Sequence, residues 1–364
     1  MSKKKYFYPL CVGIYFTVAL AVALFAGTKF KNKVTVPVNI TTPIIAESVA
    51  PAPIVSAQAC VLIDAKSGAV LYEKNSSARL PMASTTKIMT ALVVLEHMSC
   101  EQEVIVSKES TLIEGSSIYL KENEKITVEN LLYGLLLESG NDAAYTLALA
   151  CSGSVENFTL LMNEYAKQMG LKDTNFSNPH GLSDENHFTT AYELAFITST
   201  AMKNEKFRKI VSTKKYVCSS QDGSYNRYFF NHNKLLKSYN GAIGVKTGYT
   251  KAAGRCLVSA AQRNDEMFIV VTLNDPNDWR DHENLLEYGF ENFKCVEIAP
   301  CKGLRFYDDD GEKYTNKEGV YLTVTKDIQG EFSYVASLDK NKKMGRVKYF
   351  SEDTELGRFY VFAE

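Results

Sequence analysis

Neither Cys-x-x-Cys nor His-Glu-x-x-His occurs in this chain, although it holds eight cysteines and five histidines. Metal-finger and metalloprotease readings therefore have no ligand spacing to stand on, and no metal or other cofactor is expected. A dominant charge sign is also missing. The formal net charge is −1, from 41 Lys and Arg against 42 Asp and Glu. The basic residues are scattered, so there is no field to recruit nucleic acid, and no nucleic-acid partner is expected. No internal repeat stands out. The chain has 364 residues, 45% of them hydrophobic, enough for one large domain and a smaller one.

Long apolar runs are confined to the N-terminus. Lys3, Lys4 and Lys5 precede an uncharged stretch over residues 6–27, long enough to cross a bilayer of about 30 Å at about 1.5 Å per residue. Lys29, Lys31 and Lys33 follow, so the flanking lysines balance and do not set orientation. A small-x-small cleavage signature is missing at Leu24-Phe25-Ala26, and one occurs only much later, at Ala57-Gln58-Ala59. Residues 1–28 are therefore read as a retained signal anchor, with a cleaved signal peptide as the alternative. Residues 29–57 carry Pro37, Pro43, Pro51 and Pro53 without helical or strand periodicity, which suits an extended tether. No amphipathic C-terminal anchor stands out, so membrane contact is expected at the N-terminus. Cys11 falls in the apolar run. Of the other seven cysteines, Cys295 and Cys301 are near enough in sequence to close a small loop, but the pairing stays open and buried free thiols are expected.

Residues 60–64 and 69–73 read as strands around a Lys66-Ser67-Gly68 turn. A buried helix is predicted over 87–96, with Ser84 near its start. The stretch 107–199 is mostly helical in pattern, with helices over 128–137, 143–150 and 155–169, the last closed by Gly170. Strands are predicted over 242–249, 255–261 and 267–273, a helix over 280–290, and short strands over 320–324, 332–338, 346–350 and 358–362. The fold class expected is α/β (α+β): a sheet flanked by helices with a helical insertion, plus a small all-β C-terminal domain. The domain limits are 58–293 and 294–364.

Within this frame three motifs fall in order: Ser84-Thr85-Thr86-Lys87, Ser139-Gly140-Asn141 and Lys246-Thr247-Gly248. Each alone is weak. Ser-x-x-Lys recurs at Ser2, Ser212 and Ser337, Ser-x-Asn at Ser224 and Ser238, and Lys66-Ser67-Gly68 nearly repeats the third. Order and context select the first set, since only Ser84 opens an apolar helix and only Lys246 sits on a strand-like run. A serine hydroxyl needs a base, and three residues along a helix put Lys87 on the same face as Ser84. Lys87 must be neutral to act. Burial, the nearby cation Lys246 and the positive helix end all lower its pKa. Ser139 can relay a proton to a leaving amine, and Asn141 can hold Lys87 and a substrate amide. Lys246 offers charge to a carboxylate, Thr247 a hydroxyl, and Gly248 a bare backbone for an extended peptide. The N–H groups of Ser84 and Tyr249 are the expected oxyanion hole.

This order, with Asp at the place of Gly140, is the known signature of penicillin-binding proteins and class A β-lactamases. The chain resembles the low-molecular-mass penicillin-binding proteins that are serine D-alanyl-D-alanine carboxypeptidases over residues 58–293. The strings that carry the resemblance are Pro81-Met82-Ala83-Ser84-Thr85-Thr86-Lys87-Ile88-Met89-Thr90, Leu137-Glu138-Ser139-Gly140-Asn141-Asp142-Ala143-Ala144, Asn178-Pro179-His180-Gly181-Leu182 and Gly244-Val245-Lys246-Thr247-Gly248-Tyr249-Thr250. The resemblance implies a penicillin-binding-protein/β-lactamase-like fold and removal of the terminal D-alanine from peptidoglycan stem pentapeptides through a Ser84 acyl-enzyme. It implies β-lactams as covalent inhibitors and a place on the extracytoplasmic face of a bacterial membrane. Arg280 is read as a further candidate helper for the carboxylate. His180 is read as shaping a loop, and His97, His187, His232 and His282 as structural. The region after Cys295 is shorter than the family's usual C-terminal β-domain. Rival readings are a transpeptidase using the same acyl-enzyme, a β-lactamase, and a non-catalytic penicillin-sensing or wall-binding module. No Glu-x-x-x-Asn lies between Cys151 and Lys246 to serve β-lactamase deacylation, and intact Ser84, Lys87, Ser139 and Lys246 argue against an idle module.

Overall fold

The computed structural model describes residues 50–219, 226–317, 319–326, 332–339, 343–351 and 354–363. The apolar run over 6–27, Cys11, most of the tether and the near-match at Ser224 lie outside them. Strands β1 (Ala59–Asp64) and β2 (Val70–Lys74) come first, and a 3-10 turn, Ala83–Thr86, leads into α1 (Lys87–His97). β3 (Glu103–Ile105) pairs with β4 (Lys125–Thr127). Helices α2 (Val128–Leu137), α3 (Asn141–Ser152), α4 (Val155–Gln168), α5 (Ala191–Ala201) and α6 (Glu205–Ser212) follow. β5 (Lys215–Ser219) pairs antiparallel with β6 (Asn226–Phe230), and short α7 (Leu235–Ser238) precedes β7 (Ala242–Thr250), β8 (Gly254–Arg263), β9 (Glu266–Leu273) and α8 (Asp278–Asn292). The tail holds β10 (Phe293–Ala299), β11 (Arg305–Tyr307), β12 (Lys313–Thr315), β13 (Val320–Thr325), β14 (Phe332–Asp339), β15 (Met344–Ser351) and β16 (Thr354–Ala363).

Packing divides the chain into two compact units. One joins Ile63–Leu71 to Tyr288–Glu364, and the other joins Pro53–Leu62 to Tyr72–Glu287. The main sheet runs β2-β1-β9-β8-β7, so β7 is an edge strand. β8 is buried over residues 256–261 and β9 over residues 267–273, which is why both read as largely apolar runs. α8 covers one face: its His282 bridges Ser259 on β8 and Thr272 on β9. α5 packs on β9, and the 3-10 turn packs on β7 and β8.

The helical insertion is punctuated by its own side chains. Thr127 caps α2 by accepting from Asn130 N–H, Ser154 caps α4 from Asn157 N–H, and Thr190 caps α5 from Glu193 N–H. Gly153, at φ +78°, ends α3 in the left-handed conformation that glycine takes without steric cost. Residues 107–124, expected to belong to a mostly helical stretch, hold only a short 3-10 turn, Glu109–Leu112, before β4.

In the other unit, β10 pairs with β13, and β11-β12-β16-β15-β14 form a separate sheet over a core including Ile298, Leu304, Tyr314, Leu322, Val347 and Val361. Asp64 is buried there and pinned by Ser67 N–H and the Thr323 hydroxyl. Among the described residues none of the seven cysteines is in a disulfide, with Cys60, Cys100, Cys218 and Cys256 buried and Cys301 exposed.

Candidate active site

Ser84 lies inside the 3-10 turn that opens α1, not on the α-helix itself. Ala83 just before it has φ +47°, a left-handed conformation disfavoured for a residue with a Cβ. One turn on, Lys87 is fully buried, and its Nζ lies 2.9 Å from Ser84 Oγ, 2.7 Å from Asn141 Oδ1 and 2.6 Å from the His180 carbonyl. The last two groups are pure acceptors. A neutral amine spends its two N–H donors on them, which leaves its lone pair for the Ser84 hydroxyl proton. Burial, then the charge of Lys246, push the Lys87 pKa well below the usual lysine range, with Asp142 opposing.

Ser139 and Gly140 form the link between α2 and α3. Ser139 is 5% exposed with φ +65°, and Asn141 begins α3. Asn141 donates through Nδ2 to the Glu114 carbonyl, which turns its Oδ1 toward Lys87 and leaves one amide N–H for another acceptor. Asp142 accepts from the Ser117 hydroxyl and from the N–H groups of Ile118 and Leu120, tying the irregular 116–120 segment to the start of α3.

β7 supplies the opposite wall. A Cβ on Gly248 would lie 3.0 Å from Ser84 N, so the strand backbone runs directly against the serine turn. Lys246, 1% exposed, donates to the Thr247 carbonyl. Burial brings the Lys246 pKa down to about 7, partly offset by the negative charge of Glu138. Thr247 is half-buried and Tyr249 is exposed. As an edge strand, β7 offers unpaired backbone groups to which an extended peptide can add.

The structure thus brings Ser84, Lys87, Asn141 and Gly248 into contact, with Ser139 on the adjoining turn and Lys246 close enough to act on the charge of Lys87. Arg280 is not with them. Ser259 faces α8, its neighbour Val258 faces the other way, and Lys246 is registered opposite Val258. Arg280, exposed on α8, therefore belongs to the other face of the sheet, and the helper role suggested for it has no geometric support.

Several groups at the site went unread in the sequence. The carbonyls of His180 and Glu114 hold Lys87 and Asn141, and a backbone carbonyl leaves no residue-type trace. Gly181 was legible in principle: at φ +91° it presses on the serine turn so closely that a Cβ would sit 2.0 Å from the Ala83 carbonyl oxygen. Glu138 accepts from Phe230 N–H and pairs with His232, so His232 contacts the rim of the site. Among the described residues no group of three or more His, Cys, Asp or Glu side chains is placed to hold a metal ion.

A sheet with helices on both faces, a helical insertion, and the Ser-x-x-Lys, Ser-x-Asn and Lys-Thr-Gly elements converging at an edge strand define the penicillin-recognising serine acyl-enzyme class. Residues 46–277 match the S11 peptidase family, D-alanyl-D-alanine carboxypeptidase, and the chain belongs to it. It is 39% identical over 221 residues to D-alanyl-D-alanine carboxypeptidase DacF of Bacillus subtilis, a match covering 59% of this chain and 56% of that protein's length. Penicillin binding protein 5 from Haemophilus influenzae superposes with a TM-score of 0.75 at 30% identity, covering 87% of this chain and 98% of that one. The Streptomyces K15 DD-transpeptidase superposes at 0.63 with 36% identity, covering 66% of this chain and 99% of that one.

Proposed function

We propose that the chain is a serine D-alanyl-D-alanine carboxypeptidase that removes the terminal D-alanine from peptidoglycan stem pentapeptides. Ser84 Oγ attacks the penultimate D-alanine carbonyl and yields its proton to Lys87 Nζ. The tetrahedral oxyanion is received by the N–H groups of Ser84 and Tyr249. As the C–N bond breaks, Ser139 gives its proton to the leaving amine and is reprotonated from Lys87. Lys246 and Thr247 hold the terminal carboxylate, Asn141 the preceding amide, and Gly248 lets the peptide lie along β7. Water then attacks the acyl ester and frees Ser84. A β-lactam would acylate the same oxygen and stay bound.

The observation that carries this reading is the saturation of Lys87 by Asn141 and His180, which aims its remaining valence at Ser84. A second reading, transfer of the acyl group to an amine, draws support from the similarity to the K15 transpeptidase. It shares every step up to the arrival of water. Residues 1–28 as a membrane anchor, 29–57 as a tether, 58–293 as the catalytic domain and 294–364 as a β-rich appendage complete the proposal, with the enzyme on the extracytoplasmic face of the membrane. No helix among the described residues is long and apolar enough to cross a membrane, and the 6–27 run is not among them. Covalent labelling of the purified chain by a fluorescent penicillin, followed by peptide mapping, tests the reading. Label on Ser84 supports it, and label elsewhere or none removes it.

A further inference from the structure

His187 lies in the loop before α5, about a hundred residues from the serine turn, and no motif of the site includes it. It is 3% exposed. Its ring is held by contacts that fix the proton. Ser177 N–H donates to Nδ1 at 3.0 Å, so Nδ1 is an acceptor and the neutral ring carries its hydrogen on Nε2. Nε2 lies 2.7 Å from Thr86 Oγ1. With Nε2–H donating, the Thr86 hydroxyl directs its own proton to the Ala83 carbonyl at 2.7 Å. That carbonyl belongs to the residue whose left-handed φ sets the direction of Ser84, and Gly181 packs directly against it.

We propose that His187 is a positioning residue for the nucleophile, acting through Thr86 on the Ala83 carbonyl to hold the unfavourable turn that presents Ser84 to Lys87. The inference rests on Ser84 being the nucleophile. Without the relay, the Thr86 hydroxyl loses the donor that orients it, and the Ala83 peptide is free to relax toward the right-handed region that its side chain prefers. The titratable groups around the ring are Asp184, Lys87 and His180. Burial brings the His187 pKa down to about 4, so the acceptor at Nδ1 persists at neutral pH.

The test is a double-mutant cycle on the full-length chain. Acylation by a chromogenic penicillin is resolved into its binding constant and its first-order acylation rate for wild type, His187→Ala, Thr86→Val and the double variant, and thermal melting checks that each is folded. A misplacement of an ångström costs up to about a hundredfold, so His187→Ala and Thr86→Val are each expected to slow acylation about tenfold or more. The binding constant stays unchanged, and the double variant is no worse than either single one. His187→Gln, which keeps a donor near the Nε2 position, recovers most of the rate. Additive losses, or losses in binding instead of rate, would overturn the relay while leaving Ser84 acylation intact. A folded wild type that is not acylated would overturn the nucleophile assignment and the relay with it.

Discussion

Lys87 Nζ and Ser84 Oγ are 2.9 Å apart, so the base and its proton donor are within hydrogen-bond reach. Asn141 is the side chain that makes this contact directional, since its Oδ1 takes one of the two hydrogens of a neutral Lys87 amine.

Asn141→Ala removes that acceptor and also leaves the Glu114 carbonyl without its Nδ2 donor. A stability loss of about 1–3 kcal/mol is expected, together with slower acylation. Urea unfolding and penicillin acylation rates measured side by side check this. Unchanged acylation in a folded variant would show that the His180 carbonyl suffices to orient Lys87.

Gly181 and Gly153 form a matched pair of left-handed glycines with opposite surroundings. Around Gly153 nothing lies within 4 Å of an added Cβ, so Gly153→Ala should cost only the backbone penalty of about 1–2 kcal/mol. Gly181→Ala meets the Ala83 carbonyl at 2.0 Å. A shifted serine turn with near-complete loss of acylation is expected, measured as penicillin labelling of folded protein. Full labelling of Gly181→Ala would mean that the two loops are not in fixed contact.

Substrate affinity should depend on pH through Lys246. Its pKa is lowered to about 7, so the ammonium is present below that value and is lost as pH rises through it. The KM for a stem-peptide analogue with a free carboxylate should rise on the alkaline side of about pH 7, and less so for an amidated analogue. Parallel profiles for the two would contradict carboxylate recognition by Lys246.

Acid sensitivity should arise partly at His282, fully buried between Ser259 and Thr272. Its folded pKa is lowered from 6.5 to about 3 by burial. The unfolded chain therefore binds a proton that the folded chain does not in that window, and stability falls as pH drops from about 6.5 toward about 3. His282→Gln cannot titrate, so its unfolding free energy should change less with pH over this range than that of the wild type. Equal slopes would place the acid response elsewhere.

The sheet and its helical insertion were legible because β8, β9, α1 and α2 bury most of their side chains and so carry largely apolar runs. Ser84, Lys87, Ser139, Asn141 and Lys246 were singled out because side-chain chemistry at fixed spacing is visible in one dimension. β5 and β6 were missed: Tyr216, Cys218 and Phe229 face inward, but Lys215, Val217 and Tyr228 are exposed, and so short an alternation is a weak signal. The left-handed Ala83 and the carbonyls of Glu114 and His180 were invisible for another reason. They act through backbone, and only the folded chain shows which backbone groups meet.

The most direct measurement of the central claim is release of D-alanine from a stem-pentapeptide analogue by the full-length chain, with Ser84→Ala as control. Release by the wild type and none by Ser84→Ala is the predicted result. Equal release by both would contradict Ser84 as nucleophile. No release by a wild type that penicillin still labels at Ser84 would contradict carboxypeptidase action and leave acyl transfer to an amine.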